Sequence, residues 1–151
     1  MAHDFRKREE EEELIKRFEE SLKKSSNDFF EINSYETIID YYLEHSKYKK
    51  ALIAVNQAME LYPFSTELIS VKAQILSNLE EYDEALLLLD RARSLHPTDL
   101  EIYLSMGSIL SLQGKHKEAV ELYQQALTLT EEDADEIYYN IGLSHQRYGR
   151  V

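Results

Sequence analysis

Five histidines, His3, His45, His96, His116 and His145, are the side chains best suited to bind a metal or move a proton near neutral pH. None has a ligand partner at i+3 or i+4 along a helix, the spacing that puts two ligands on one helical face. There is no cysteine, which excludes a disulfide framework, a thiolate nucleophile and cysteine-ligated zinc. Acidic pairs such as Asp83-Glu84 fall near an expected helix start, where carboxylates favour the helix dipole. A general-acid pair needs two carboxyls in contrasting environments, and nothing in the sequence marks these as buried. A glycine-rich phosphate loop, a Gly-x-Ser-x-Gly elbow and a dinucleotide fingerprint are all missing. The expectation is a chain with no catalytic residues, no metal site and no cofactor, and not an enzyme.

Charge narrows the partners. Lys plus Arg is 17 against 29 Asp plus Glu, a formal net charge of -12. Nucleic acid is excluded as a partner, because binding a phosphate backbone needs clustered Lys and Arg to displace counterions. An anionic membrane surface is excluded for the same reason. The longest apolar runs are about five residues, and a membrane-spanning helix needs about 20. The opening MAHDFRKREEEEEL has no apolar signal-peptide core, so a soluble, cytoplasmic protein is expected. At 151 residues, 43% hydrophobic, the chain is long and apolar enough for one packed domain.

With so little chemistry, organisation carries the information. Pro63 and Pro97 lie 34 residues apart, and the same step recurs throughout. Ala51, Ala85 and Ala119 keep it, as do Ala58, Ala92 and Ala126. So do Tyr35, Ile69 and Tyr103; Tyr42, Leu76 and Leu110; and the small or aliphatic set Ile39, Ala73 and Gly107. Inside each period the apolar spacing is helical, as in Ala119, Tyr123 and Ala126. Thr98-Asp-Leu-Glu101 and Asp133-Ala-Asp-Glu136 fit N-terminal capping boxes. Gly114 and Gly149 fit helix ends that need positive φ, and the two prolines keep successive helices from fusing. The pattern predicts helices near 34–45, 48–61, 66–79, 82–95, 100–113, 116–129 and 135–148.

These residues resemble the tetratricopeptide repeat family. The closest unit is Tyr103-Leu-Ser-Met-Gly107-Ser-Ile-Leu110 with Ala119, Tyr123 and Ala126, and Tyr138-Tyr-Asn-Ile-Gly142 repeats its opening. The resemblance runs from Ile32 to Val151. The third unit departs from the pattern: it ends in Thr130-Glu-Glu-Asp133 without a proline, and Gly107 to Gly142 is 35. It implies an all-α, right-handed solenoid of helical hairpins, in which small residues let helices cross closely. Repeats are expected at about 32–65, 66–99 and 100–134, with the first helix of a fourth from 135. His116 takes the place of Tyr48 and Tyr82, so it is expected to pack rather than to ligate. Residues 1–31 are expected to form a charged helix and a connection, Ser25-Ser-Asn-Asp28. The stripe Leu14, Ile15, Phe18 and Leu22 would let that helix cap the first repeat; docking elsewhere or pairing two chains is the alternative.

The family resemblance also implies a function: a scaffold that binds a protein or peptide on the concave wall. That wall is lined by the first helix of each repeat. Carried over, it comprises Asn33, Glu36, Asp40 and Glu44, then Glu67, Ser70, Gln74 and Asn78. Glu101, Leu104, Ser108 and Leu112 follow, then Glu136, Tyr139, Leu143 and Arg147. The Lys, Arg and Asn set with which some members grip a C-terminal carboxylate is not at these positions. The wall runs from acidic to apolar, which favours a basic or neutral ligand with an apolar part. An alternative role is the regulatory or docking arm of a longer enzyme or signalling protein. On the outer face, Ile53 and Leu87 are expected to be covered by neighbouring helices, with a contact to another subunit as the alternative. Tyr138, Ile141 and His145 are expected to lack a partner helix, so that the last helix frays or associates weakly with another copy.

Overall fold

The computed structural model describes residues 1–24, 30–132 and 134–148. The expected connection Ser25-Ser-Asn-Asp28, the Asp133 box and the Gly149 helix end lie outside the described residues. Among those described, the regular structure is entirely helical: α1 (Ala2–Lys23), α2 (Ile32–Glu44), α3 (Tyr48–Leu61), α4 (Thr66–Asn78), α5 (Tyr82–Leu95), α6 (Leu100–Leu112), α7 (His116–Leu127) and α8 (Ala134–Tyr148). No described helix is long and apolar enough to cross a membrane. The helices form two compact units, Met1–Ser65 and Thr66–Val151.

The first unit is built on an aromatic cluster. Ile15 and Phe18 of α1 are buried, with Leu14 and Leu22 half-buried on either side. The Phe18 ring meets those of Phe30 and Tyr42, each at 6.0 Å between centroids, and Phe30 meets Tyr35 edge-on at 5.7 Å. Below them Tyr35, Ile38, Ile39 and Tyr42 of α2 face Ala51, Ala54, Val55 and Ala58 of α3. The alanines leave room for the large rings, so the two backbones approach closely. Glu19 ties α1 to this hairpin, accepting from the Tyr42 hydroxyl at 3.0 Å and from the Lys50 ammonium at 2.9 Å. The Lys50 hydrogen bond holds the Glu19 carboxyl below its usual range despite its partial desolvation. Burial, reinforced by Glu19, pushes the Tyr42 phenol well above its ordinary value. The first half of α1 makes little of this contact, and Phe5 is 65% exposed.

In the second unit the 34-residue register becomes a packing rule. Ala73 of α4 and Leu89 of α5 are both buried, and so are Gly107 of α6 and Tyr123 of α7. Ile39 and Val55 hold the same places in the first unit. As the residue on the first helix shrinks from Ile to Ala to Gly, its counterpart grows from Val to Leu to Tyr. Interiors are close-packed, so within the second unit the Ala–Leu and Gly–Tyr pairs trade volume between the two helices, while Ile39 with Val55 is the bulkier pair. At Gly107 the fit is tight: a Cβ there would lie 2.5 Å from the Tyr123 ring. Tyr123 belongs to a buried cluster with Tyr103, Leu110, Ala119, Ala126 and Ile137.

The turns inside the hairpins obey the same register. Gly114 has the positive φ its type allows, 79°, and Ser46 and Glu80 adopt 54° and 61° at the matching places. All three close the preceding helix identically. The next residue's N–H returns to a helix carbonyl: Lys47 to Tyr42, Glu81 to Leu76 and Lys115 to Leu110, each at 2.8 Å. Serine and glutamate lack glycine's freedom in this region. Ser46→Gly and Glu80→Gly are therefore each expected to stabilise the protein, by up to about 1 kcal/mol. Gly114→Ala should cost a similar amount. Urea denaturation checks all three, and unchanged midpoints for both glycine variants would contradict the strain.

Three expectations need correction. The cap of α6 is Asp99, whose carboxylate accepts from the Glu101 N–H at 3.1 Å, and not Thr98. Thr98 sits inside the turn closed by the Asp99 N–H bond to the His96 carbonyl. Ile53 and Leu87 are not covered: they are 42% and 54% exposed. Ile141 does not lack a partner, because it packs half-buried against the Tyr103–Tyr123 cluster.

Candidate protein-binding groove

Helix α6 is the most apolar of the repeat helices, and three of its polar residues share one face. Glu101, Ser105 and Ser108 fall at i, i+4 and i+7, on one face. That face looks across to Ser70, Gln74, Ser77 and Asn78 of α4. Between the two helices lies a groove of about 510 Å³, with Val71, Ala73 and Ile109 completing its lining.

Five of the expected wall residues meet here: Ser70, Gln74, Asn78, Glu101 and Ser108. Ser77 and Ser105 were not anticipated. The carry-over chose Leu104, and one residue is 100° of helix rotation, enough to turn a side chain out of the groove. Leu104 instead packs half-buried against the core cluster. Leu112 is 59% exposed, and neither it nor Glu67 lines the groove. The signal for Ser105 was present, since a polar run at helical spacing in so apolar a helix marks its solvent side.

The groove's chemistry is that of hydroxyls and amides. Its lining includes one charged residue, Glu101, and no Lys or Arg. The Asn78 amide donates to the Gln74 carbonyl at 2.9 Å, which fixes that side chain and leaves its oxygen as an acceptor. Such a surface can pair with a peptide backbone, or with an ammonium or guanidinium beside Glu101. It offers no cation to hold a carboxylate.

The remaining expected residues lie on other helices. In the first unit Asn33, Glu36, Asp40 and Glu44 are exposed along one face of α2. Partial desolvation raises the Asp40 carboxyl above its usual range, and the charge of Glu44 adds to the shift. On α8, Glu136 and Arg147 are exposed, Tyr139 is 66% exposed and Leu143 is half-buried. His116 is half-buried, with its Nδ1 enclosed. Among the described residues no group of three or more potential ligands is placed to hold a metal.

Residues 107–149 match the family model for the TPR repeat. No curated protein matches the chain as a relative. Solved structures match it in fold. A crystal structure of MamA superposes with a TM-score of 0.73 at 19% identity, covering 99% of this chain and 85% of that one. The TPR2B domain of yeast Sti1, solved in a complex with pHsp70, gives 0.68 at 18%, over 76% of this chain and 96% of that one. The first TPR domain of human RPAP3 gives 0.68 at 20%, over 77% and 91%. The 34-residue register and the helical hairpins it folds into agree with these matches: residues 107–149 match the TPR repeat, and the chain has the fold of these solved structures.

Proposed function

We propose that the chain is a non-catalytic scaffold that holds an extended segment of a partner protein in the groove between α4 and α6. The observation that carries this reading is the groove itself. Two facing helices turn hydrogen-bonding side chains toward a 510 Å³ space. The pHsp70 complex of the Sti1 domain supports the class of function, since that domain has the same fold. The lining favours a neutral or basic segment, with an apolar part that can reach Val71 and Ile109.

Titrating the full chain with synthetic peptides tests this. Peptides carrying Lys or Arg beside a leucine are expected to bind, and peptides ending in an acidic cluster are not. Gln74→Ala and Asn78→Ala should each weaken binding two- to tenfold, the worth of a lost hydrogen bond. Ser105→Arg, which fills the groove, should abolish it. Binding that ignores all three variants, or a preference for the acidic peptides, would place the site elsewhere.

A further inference from the structure

We infer that the α4–α6 groove reads the backbone of an extended segment at every second residue, through the side chains of Ser70, Gln74 and Asn78. The inference rests on the peptide-binding reading of this groove, and adds the register and orientation of what it holds. The three side chains stand at i, i+4 and i+8 on α4, and all three line the groove. One such step advances about 6 Å along a helix axis. Two residues of an extended chain advance about 6.6 Å, and they return the backbone N–H and C=O to the same side. Each step along α4 therefore meets one repeat of the extended chain. The mismatch grows to only about 1.2 Å between the first rung and the third, which the long Gln74 side chain can absorb.

A helical ligand could not use these groups. Its backbone N–H and C=O are bonded within the helix, and a helix docks through an apolar groove. Here the apolar lining is Val71, Ala73 and Ile109, and the last two are buried, 1% and 4% exposed. Asn78 is the best-defined rung. Its amide donates to the Gln74 backbone carbonyl at 2.9 Å, which holds Oδ1 as an acceptor for a backbone N–H. On the opposite wall the hydroxyls of Ser105 and Ser108 serve the other edge of the segment, since each can give or accept a hydrogen bond. Glu101 fixes the orientation. It lies in the first turn of α6, and α4 and α6, as first helices of successive hairpins, run the same way. The one charge in the lining is therefore at the Ser70 end. A basic residue of the segment sits nearest Ser70 and farthest from Asn78.

Amide-to-ester scanning tests this. The probe is a blocked nine-residue peptide with a lysine at its second position, a leucine beside it and only serine and alanine elsewhere. Each backbone N–H is replaced in turn by an ester oxygen, and binding to the full chain is measured by calorimetry. Esters at alternate positions are expected to weaken binding two- to tenfold, the worth of a lost hydrogen bond, and esters between them less than twofold. Gln74→Ala and Asn78→Ala are then tested against the same series. Both side chains are exposed, so neither variant disturbs the core. Each variant should make one ester harmless. The two positions so identified should lie two residues apart, with the one coupled to Asn78 farther from the lysine. A peptide that fails to bind, or whose binding ignores both variants, would overturn the groove reading and this inference with it. Binding that the variants weaken but no ester couples to would overturn the backbone ladder alone. Coupled positions at any spacing other than two would overturn the register, and the reverse order would overturn the orientation.

Discussion

Phe18→Ala is expected to destabilise the unit formed by α1, α2 and α3 by about 3–5 kcal/mol, the usual cost of removing a fully buried aromatic ring. Phe18 has no exposed surface and touches two other rings, Phe30 and Tyr42. Removing it leaves a cavity bounded by stiff aromatic groups that cannot close over the gap. It also takes away the main apolar anchor of α1, whose other buried apolar residue is Ile15. The Glu19 contacts to Tyr42 and Lys50 cannot compensate. The Lys50–Glu19 pair is more than one-third exposed on both sides, and such pairs contribute about 0–1 kcal/mol. The variant should therefore lose protection of the α1 amides in hydrogen exchange as well as denaturant resistance. Phe5→Ala on the same helix is the control. Its ring is largely in solvent, so its effect should stay within about 0.5 kcal/mol. If the two substitutions cost the same, α1 is not anchored through the cluster.

The sequence was most legible where one physical requirement repeats. Ala51, Ala85 and Ala119 recur because helix crossings in successive hairpins demand the same small volume, and all three are fully buried. Periodicity placed every repeat helix to within two residues. It was least legible where the answer depends on rotation or on a neighbour. Thr98 and Asp99 are both competent caps, and only the turn closed at His96 decides between them. Ser46 and Glu80 conceal a left-handed turn that Gly114 announces, because the fold imposes the conformation whatever the residue. Of the wall positions the resemblance implies, Gln74 and Asn78 on α4 line the groove, whereas on α6 Ser105 lines it and Leu104 packs against the core, since a carried-over register cannot report a helix's rotation. The exposure of Ile53 and Leu87 depends on what packs over α3 and α5, which no local pattern encodes.

Gly107 and Gly142 occupy the same place in successive repeats, and substituting them is expected to give opposite signs. Alanine is worth about 1 kcal/mol more than glycine in a helix interior, at either position. At Gly142 nothing opposes that gain, so Gly142→Ala should stabilise the protein by about 0.5–1 kcal/mol. At Gly107 the new methyl meets the Tyr123 ring at 2.5 Å. That ring is 4% exposed and packed among Tyr103, Leu110 and Ile137, so it cannot swing clear without moving them. Overpacking of this kind costs about 1–3 kcal/mol, and it should outweigh the helix gain to leave Gly107→Ala net destabilising. The volume rule supplies a sharper test. Ala73 with Leu89 is the same pair one repeat earlier, so Gly107→Ala with Tyr123→Leu recreates a combination this fold already packs. Tyr123→Leu alone should destabilise by leaving a void over Gly107, which the alanine methyl then fills. The double variant is therefore expected to be more stable than the sum of the singles by at least about 1 kcal/mol, well outside the scatter of independent sites. A cycle that closes within about 0.5 kcal/mol would mean that the ring and the glycine do not constrain each other, and that the exchange of Ala–Leu for Gly–Tyr has another origin.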